Sequence, residues 1–272
     1  MDNQPLAGRV VAVPETREID VFAAMLERRG ARVVRCPMVA ILDAPDPAPI
    51  LQWSRELASG SFDDLILLTG EGLRRILTCI ERNEPPLRER FVTALAGIRK
   101  ITRGPKPARA LRELGLKSDI AAERPTTDGV IASLQSHELK GRRFGVQLYG
   151  TEPNRPLVEF LESAGAKVST VAPYVYADAA DDAAVLDLVK RIQAGQVDAI
   201  AFTSTPQVER LFAVAPAQAI MAALGKTVVA AVGPVVADTL QKHGVQARLM
   251  PEESFFLKPL TSVLEDALGA RK

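Results

Sequence analysis

The chain has 272 residues, 47% hydrophobic and 25% charged, and its 34 basic and 33 acidic side chains leave a net charge of +1. That length accommodates two ordinary cores, and the near-balance of charge excludes a protein built mainly to hold nucleic acid, where a basic excess is expected. Two cysteines without CxxC spacing (Cys36, Cys79) and two distant histidines (His137, His243) give no basis for a disulfide framework, a metal site or a histidine triad.

The segment Met1 to Gly8 is polar and lacks the apolar core of a signal peptide. No stretch approaches the roughly 18 apolar residues of a membrane span, so a cytoplasmic protein without membrane contact is expected. Val10 to Val13 reads as a strand, Ile19 to Arg29 as an amphipathic helix closed by Gly30, and Arg32 to Arg35 as the next strand. Similar β-rich runs fall at 65–68, 98–102, 144–148, 167–171, 199–203 and 227–232. Helical periodicity of about three turns separates them, which predicts parallel α/β layers.

The chain also repeats itself. Gly8-Arg9-Val-Val-Ala-Val13 is echoed by Gly141-Arg142-Arg-Phe-Gly-Val146, and Leu26-Glu-Arg-Arg-Gly30 by Leu161-Glu-Ser-Ala-Gly165. The pairs Gly30/Gly165 and Thr69/Ser204 share an offset of 135, and Gly104/Gly233 and Gly115/Gly244 an offset of 129. Four blocks in one order predict two similar α/β lobes.

In open parallel sheets ligands gather at the carboxyl ends of strands, where loops run into helix N-termini. Three kinds of loop are candidates there. Thr69 and Gly70, with Thr203 and Ser204, close a strand-to-helix turn. Arg103, Gly104 and Lys106, with Gly233, form a second, in which glycine permits close approach and proline follows as a helix start. Arg17 and Arg155 follow the opening strand of each half and offer a planar fork to a carboxylate. No GxxxxGK[ST], GxGxxG after the first strand, or GxSxG is present, which leaves small-molecule binding without a dinucleotide cofactor.

These segments resemble the uroporphyrinogen-III synthase (HemD-like) family. The second half carries the resemblance best, in Ile200-Ala-Phe-Thr203-Ser204, Ala231-Val-Gly233-Pro234 and Val171-Ala-Pro-Tyr174, and Gly150 with Asn154-Arg155 resembles the family's Gly-x-x-Gly-Arg region. The resemblance implies two α/β lobes with a cleft between them and an exchanged first unit. One lobe is 1–36 plus 180–272, the other 48–168, and 37–47 and 169–179 form a two-stranded hinge. It implies a lyase that cyclises hydroxymethylbilane to uroporphyrinogen III, with loss of water and inversion of the last pyrrole ring. No metal or other cofactor is implied, and family members are commonly monomers.

A linear tetrapyrrole carrying eight carboxylates would explain the arginines, hydroxyls and loop N–H groups. Tyr174, with Tyr176 as the alternative, falls where a hydroxyl can assist departure of the substrate hydroxyl. The sequence departs from the family at Pro107 and Val236, where threonine is usual, at Gly70-Glu71 in place of Ser-Pro, at the displaced Pro14-Glu-Thr-Arg17, and at Tyr149 in place of arginine. A non-catalytic tetrapyrrole-binding regulatory or sensing relative is the alternative reading. An unrelated periplasmic-binding-type or flavodoxin-like receptor is disfavoured by the polar N-terminus.

Overall fold

Runs of four apolar residues buried at every position suit strands covered on both faces, and such runs form the centre of both sheets. The computed structural model describes residues 4–178 and 182–269. The chain forms two compact units, 1–40 with 177–272, and 41–176. The expected boundary at 179–180 lies outside the described residues.

Numbered along the chain, unit 1 holds strands β1 (Val10–Val13), β2 (Arg32–Arg35), β10 (Ala199–Phe202) and β11 (Val228–Ala231). Its helices are α1 (Ile19–Glu27), α8 (Asp182–Gln193), α9 (Thr205–Ala213), α10 (Ala217–Leu224), α11 (Pro234–Lys242) and α12 (Leu257–Gly269). The sheet order is β11-β10-β1-β2, all parallel. Helix α1 stops at Glu27, two residues before the expected end, with Arg28 as its C-cap.

Unit 2 holds β4 (Asp64–Leu67), β5 (Arg99–Thr102), β6 (Ile120–Ala121), β7 (Arg143–Gln147) and β8 (Lys167–Val171). Its helices are α2 (Ala48–Ala58), α3 (Gly70–Asn83), α4 (Leu87–Gly97), α5 (Pro105–Arg112), α6 (Thr127–Leu134) and α7 (Arg155–Ser163). The sheet order is β6-β5-β4-β7-β8, again parallel. The alternation of β4 splits the core: Leu65 and Leu67 pack with Trp53, Ile76 and Phe91 on one face, and Ile66 and Leu68 with Phe144, Val146 and Leu157 on the other. Strands β3 (Val39–Asp43) and β9 (Tyr174–Asp178) form a separate two-stranded sheet where the chain passes from one unit to the other.

The duplication is visible in strand register. Asp64↔Arg99 and Ile101↔Ile120 in unit 2 recur as Ala199↔Val228 and as the single bridge Ala230↔Leu249 in unit 1. These are the residue pairs that the two sequence offsets connect. In unit 2 the amino ends of the strands are tied by charge, for Asp64 is fully buried and bonded to Arg99 and Arg142. Asp63 pairs with Arg143 at 2.7 Å; the bond to that guanidinium holds the Asp63 carboxyl at a pKa of about 2.

Candidate functional site

At the opposite, carboxyl edge of unit 2, an extended backbone at Thr69 places its hydroxyl to accept the Gly72 N–H at 3.0 Å, the ordinary N-cap of α3. The Thr69 N–H donates to Gln147 Oε1 at 3.1 Å, and Gln147 Nε2 donates to Thr69 Oγ1 at 3.3 Å. The turn's donors are thus largely met by protein atoms, and what Thr69 presents outward is its bond to the Tyr174 hydroxyl at 3.3 Å. Tyr174 is 1% exposed. Its hydroxyl lies 3.4 Å from that of the half-buried Tyr176, with the rings edge to face at 5.5 Å. Gly70 is the first residue of α3, and a Cβ there would come within 2.5 Å of the Lys106 carbonyl, so glycine lets the starts of α3 and α5 meet.

Arg103 and Gly104 sit at the end of β5. A Cβ on Gly104 would reach Pro125 at 2.9 Å, Pro105 opens α5, and exposed Lys106 follows. The Arg103 guanidinium carbon lies 4.9 Å from the centre of the Tyr149 ring, a cation–π distance. Among the described residues Arg103 makes no ion pair with a carboxylate. Burial pushes its pKa below the ordinary value, against the opposing influence of Tyr149, Tyr174 and Tyr176. Burial also raises the Tyr149 hydroxyl, with Arg103 acting the other way. Arg155, the first residue of α7, is exposed.

Unit 1 places Thr203, Ser204, Gly233 and Arg17 at its own carboxyl edge. Ser204 caps α9 in a capping box with Gln207, and Gln207 Oε1 accepts the N–H groups of Thr203 and Ser204 at 2.8 and 3.3 Å. The Thr203 hydroxyl donates to Glu15. Glu15 also accepts the N–H groups of Thr16 and Arg17 at 3.0 and 3.2 Å, so a carboxylate of the chain itself takes up these donors. Gly233 precedes Pro234 at the start of α11, and a Cβ there would meet the Phe255 ring at 3.0 Å. Pro107 and Val236, each the third residue of its helix, are buried.

The structure therefore brings Thr69, Gly70, Arg103, Gly104, Lys106, Arg155 and Tyr174 to one sheet edge, and Arg17, Thr203, Ser204 and Gly233 to another. Sequence reasoning missed Gln147, Gln207 and Glu15, which serve these turns, and Tyr149, which faces Arg103. Gln147 and Tyr149 take their roles from partners distant in the chain. Gln207 completes the Ser-x-x-Gln spacing of a capping box, and Glu15 lies in the displaced Pro14-Glu-Thr-Arg17 loop, where it serves its neighbours Thr16 and Arg17 as well as Thr203. Among the described residues no group of three or more His, Cys, Asp or Glu is placed to hold a metal ion, and no helix is long and apolar enough to cross a membrane.

A family profile described as uroporphyrinogen-III synthase HemD matches residues 20–256. A Bacillus subtilis (strain 168) protein described as "Uncharacterized protein YjjA" is 31% identical over 254 residues, covering 91% of this chain and 92% of its own. A mutant uroporphyrinogen III synthase from the extremely thermophilic bacterium Thermus thermophilus superposes with a TM-score of 0.76 at 29% identity, covering 97% of this chain and 100% of that one. The uroporphyrinogen-III synthetase of Helicobacter pylori 26695 has a TM-score of 0.56 at 15% identity over 97% of this chain and 100% of its own, a likeness of fold alone.

Proposed function

The chain belongs to the uroporphyrinogen-III synthase HemD family, and we propose that it acts as a cofactor-independent lyase cyclising hydroxymethylbilane to uroporphyrinogen III. The observation that carries this reading is Arg103, without a carboxylate partner among the described residues, set beside Tyr149, Tyr174 and Tyr176. The substrate's carboxylates supply the missing anion, met by the Arg103 fork. Arg155, Lys106 and the loop N–H groups at Gly70 and Gly104 offer further carboxylate contacts at that edge of unit 2, and Arg17 and the Gly233 N–H offer the same at the edge of unit 1. The Thr203 and Ser204 donors join only where Glu15 and Gln207 release them.

Tyr174 gives its proton to the terminal hydroxyl as the C–O bond breaks and water departs, and a proton released on ring closure restores it. One water is lost and no oxidation state changes, so the chemistry needs no redox partner. Tyr176, bonded to Tyr174 and more exposed, relays the proton or takes its place. The protein's larger task is to hold one conformation of a flexible chain, because unassisted closure gives the non-inverted isomer. Segments 37–47 and 169–179 serve as hinge connectors in this reading, residue 179 lying outside the described residues. The enzyme works as a cytoplasmic monomer.

The test supplies purified protein with hydroxymethylbilane generated in situ and resolves the oxidised products by isomer. Type III product is expected; type I alone overturns the proposal. Replacing Tyr174 with Phe is expected to slow type III formation about a hundredfold, and an unchanged rate removes the tyrosine's role. A second reading, binding without turnover, draws on Pro107 and Val236, which offer no side-chain donor where threonine is usual in the family. Saturable binding of uroporphyrin together with type I product alone would favour it.

A further inference from the structure

Asn154 is the one non-glycine among the described residues with positive φ (48°), a conformation that costs energy and collects at functional sites. It caps α7 and is 3% exposed, yet its side chain makes no capping bond. Instead Asn154 Oδ1 accepts from the hydroxyl of Thr127, the first residue of α6, at 3.1 Å. The other end of the amide, Nδ2, is buried and has no partner. Leaving such a donor unmet costs about 1–3 kcal/mol, and folded proteins seldom tolerate it without cause. The amide lies where the N-termini of α6 and α7 meet, and the first-turn N–H groups of Thr127, Asp128 and Arg155 have no intrahelical acceptor.

We propose that this junction is an oxyanion subsite, in which Asn154 Nδ2 and the adjoining helix N–H groups receive a carboxylate of the polycarboxylate ligand. The assignment rests on the reading of the protein as a tetrapyrrole-binding chain. The charges here balance. Glu152 accepts the Asn154 N–H at 3.3 Å, Asp128 stands in the first turn of α6, and Arg124 and Arg155 form no ion pair among the described residues. Asn154 itself thus contributes a neutral amide dipole to the entering carboxylate, whereas Arg103 holds its own by charge. Salt screens the second interaction and hardly touches the first.

The experiment titrates uroporphyrin into the full-length protein, following the Asn154 side-chain amide by NMR and the affinity by calorimetry. The Asn154→Gly variant, which suits the left-handed backbone, assigns the resonance. A saturable downfield shift of that amide is expected. The variant should bind about tenfold more weakly, by the same factor at low and at about 0.5 M salt, while Arg103→Gln loses affinity mainly at low salt. An amide unmoved at saturating uroporphyrin, or unchanged affinity in Asn154→Gly, overturns the subsite. A shift produced by inorganic phosphate but not by uroporphyrin overturns the carboxylate assignment. Type I product from the wild type with the amide shift intact sinks the enzyme reading and leaves the subsite standing.

Discussion

Thr69 and Ser204 hold the same place in the two units, the N-cap of the helix after an inner strand, yet the glutamine that serves each turn has a different origin. In unit 1 it is Gln207, third residue of α9; in unit 2 it is Gln147, at the end of β7, and the third residue of α3 is Gly72. A Cβ on Gly72 would lie 1.9 Å from Gln147 Nε2. One amide fills one space in both units, reached from the helix in one and from the strand in the other. Duplication has kept the satisfied hydrogen bond and let its source change. The electrostatics have separated further: Glu15 supplies an internal carboxylate to the edge of unit 1, while the edge of unit 2 keeps Arg103 without one.

The arrangement of unit 1 can be installed in unit 2. Gly72→Gln alone puts a second amide into filled space and is expected to cost about 3 kcal/mol or more. Adding Gln147→Ala vacates that space and should recover at least half, a coupling that urea denaturation of the double-mutant cycle will measure. Strict additivity would mean that the two amides do not share a place. Next in size, Asp64→Ala copies the residue of unit 1, since Ala199 holds the matching register position. It removes a buried carboxylate from Arg99 and Arg142, which are partly exposed, and a loss of about 2 kcal/mol is expected in thermal melts.

Glu15→Gln removes the electrostatic difference between the two edges. It should cost only about 1 kcal/mol while raising the affinity of the protein for uroporphyrin, because the hydroxyl and N–H donors of that edge lose their resident anion. Weaker uroporphyrin binding would show instead that Glu15 positions the loop for the ligand. The smallest effect is acidic. Asp63, held at a pKa of about 2 by Arg143, contributes stability in full above the ordinary carboxylate pKa and loses it as pH falls through about 2. Asp63→Asn is therefore expected to melt below the wild type at about pH 7, with the gap closing between about pH 4 and about pH 2.

The central strands are legible in the sequence because burial on both faces demands unbroken apolar runs such as Val10 to Val13 and Ala199 to Phe202. The two-residue β6 is too short to leave such a trace. Helix starts are legible where Thr69 or Pro105 declares them, and with them the loop that holds Arg103. Gln147 is not legible, because a buried polar side chain is explained only by a partner that the fold brings from 78 positions away. The partly buried Glu15 reads as a local loop acceptor until the fold brings Thr203 to it from 188 positions away. Asn154 could be read as a family glycine replaced, but nothing in its neighbours announces an amide with one unmet end.

The chain leaves unit 1 after residue 40 and re-enters it at 177, and that routing sets an order of events during synthesis. Unit 2 leaves the ribosome as a continuous stretch, with every strand of its sheet available early. The sheet of unit 1 must wait, since β1 and β2 emerge first but pair inward only with β10, which begins at Ala199. Until then Val10 to Val13 is an apolar edge without its neighbour, the kind of segment that aggregates or recruits a chaperone. A slow or truncated translation product should therefore contain a folded middle and an adhesive beginning.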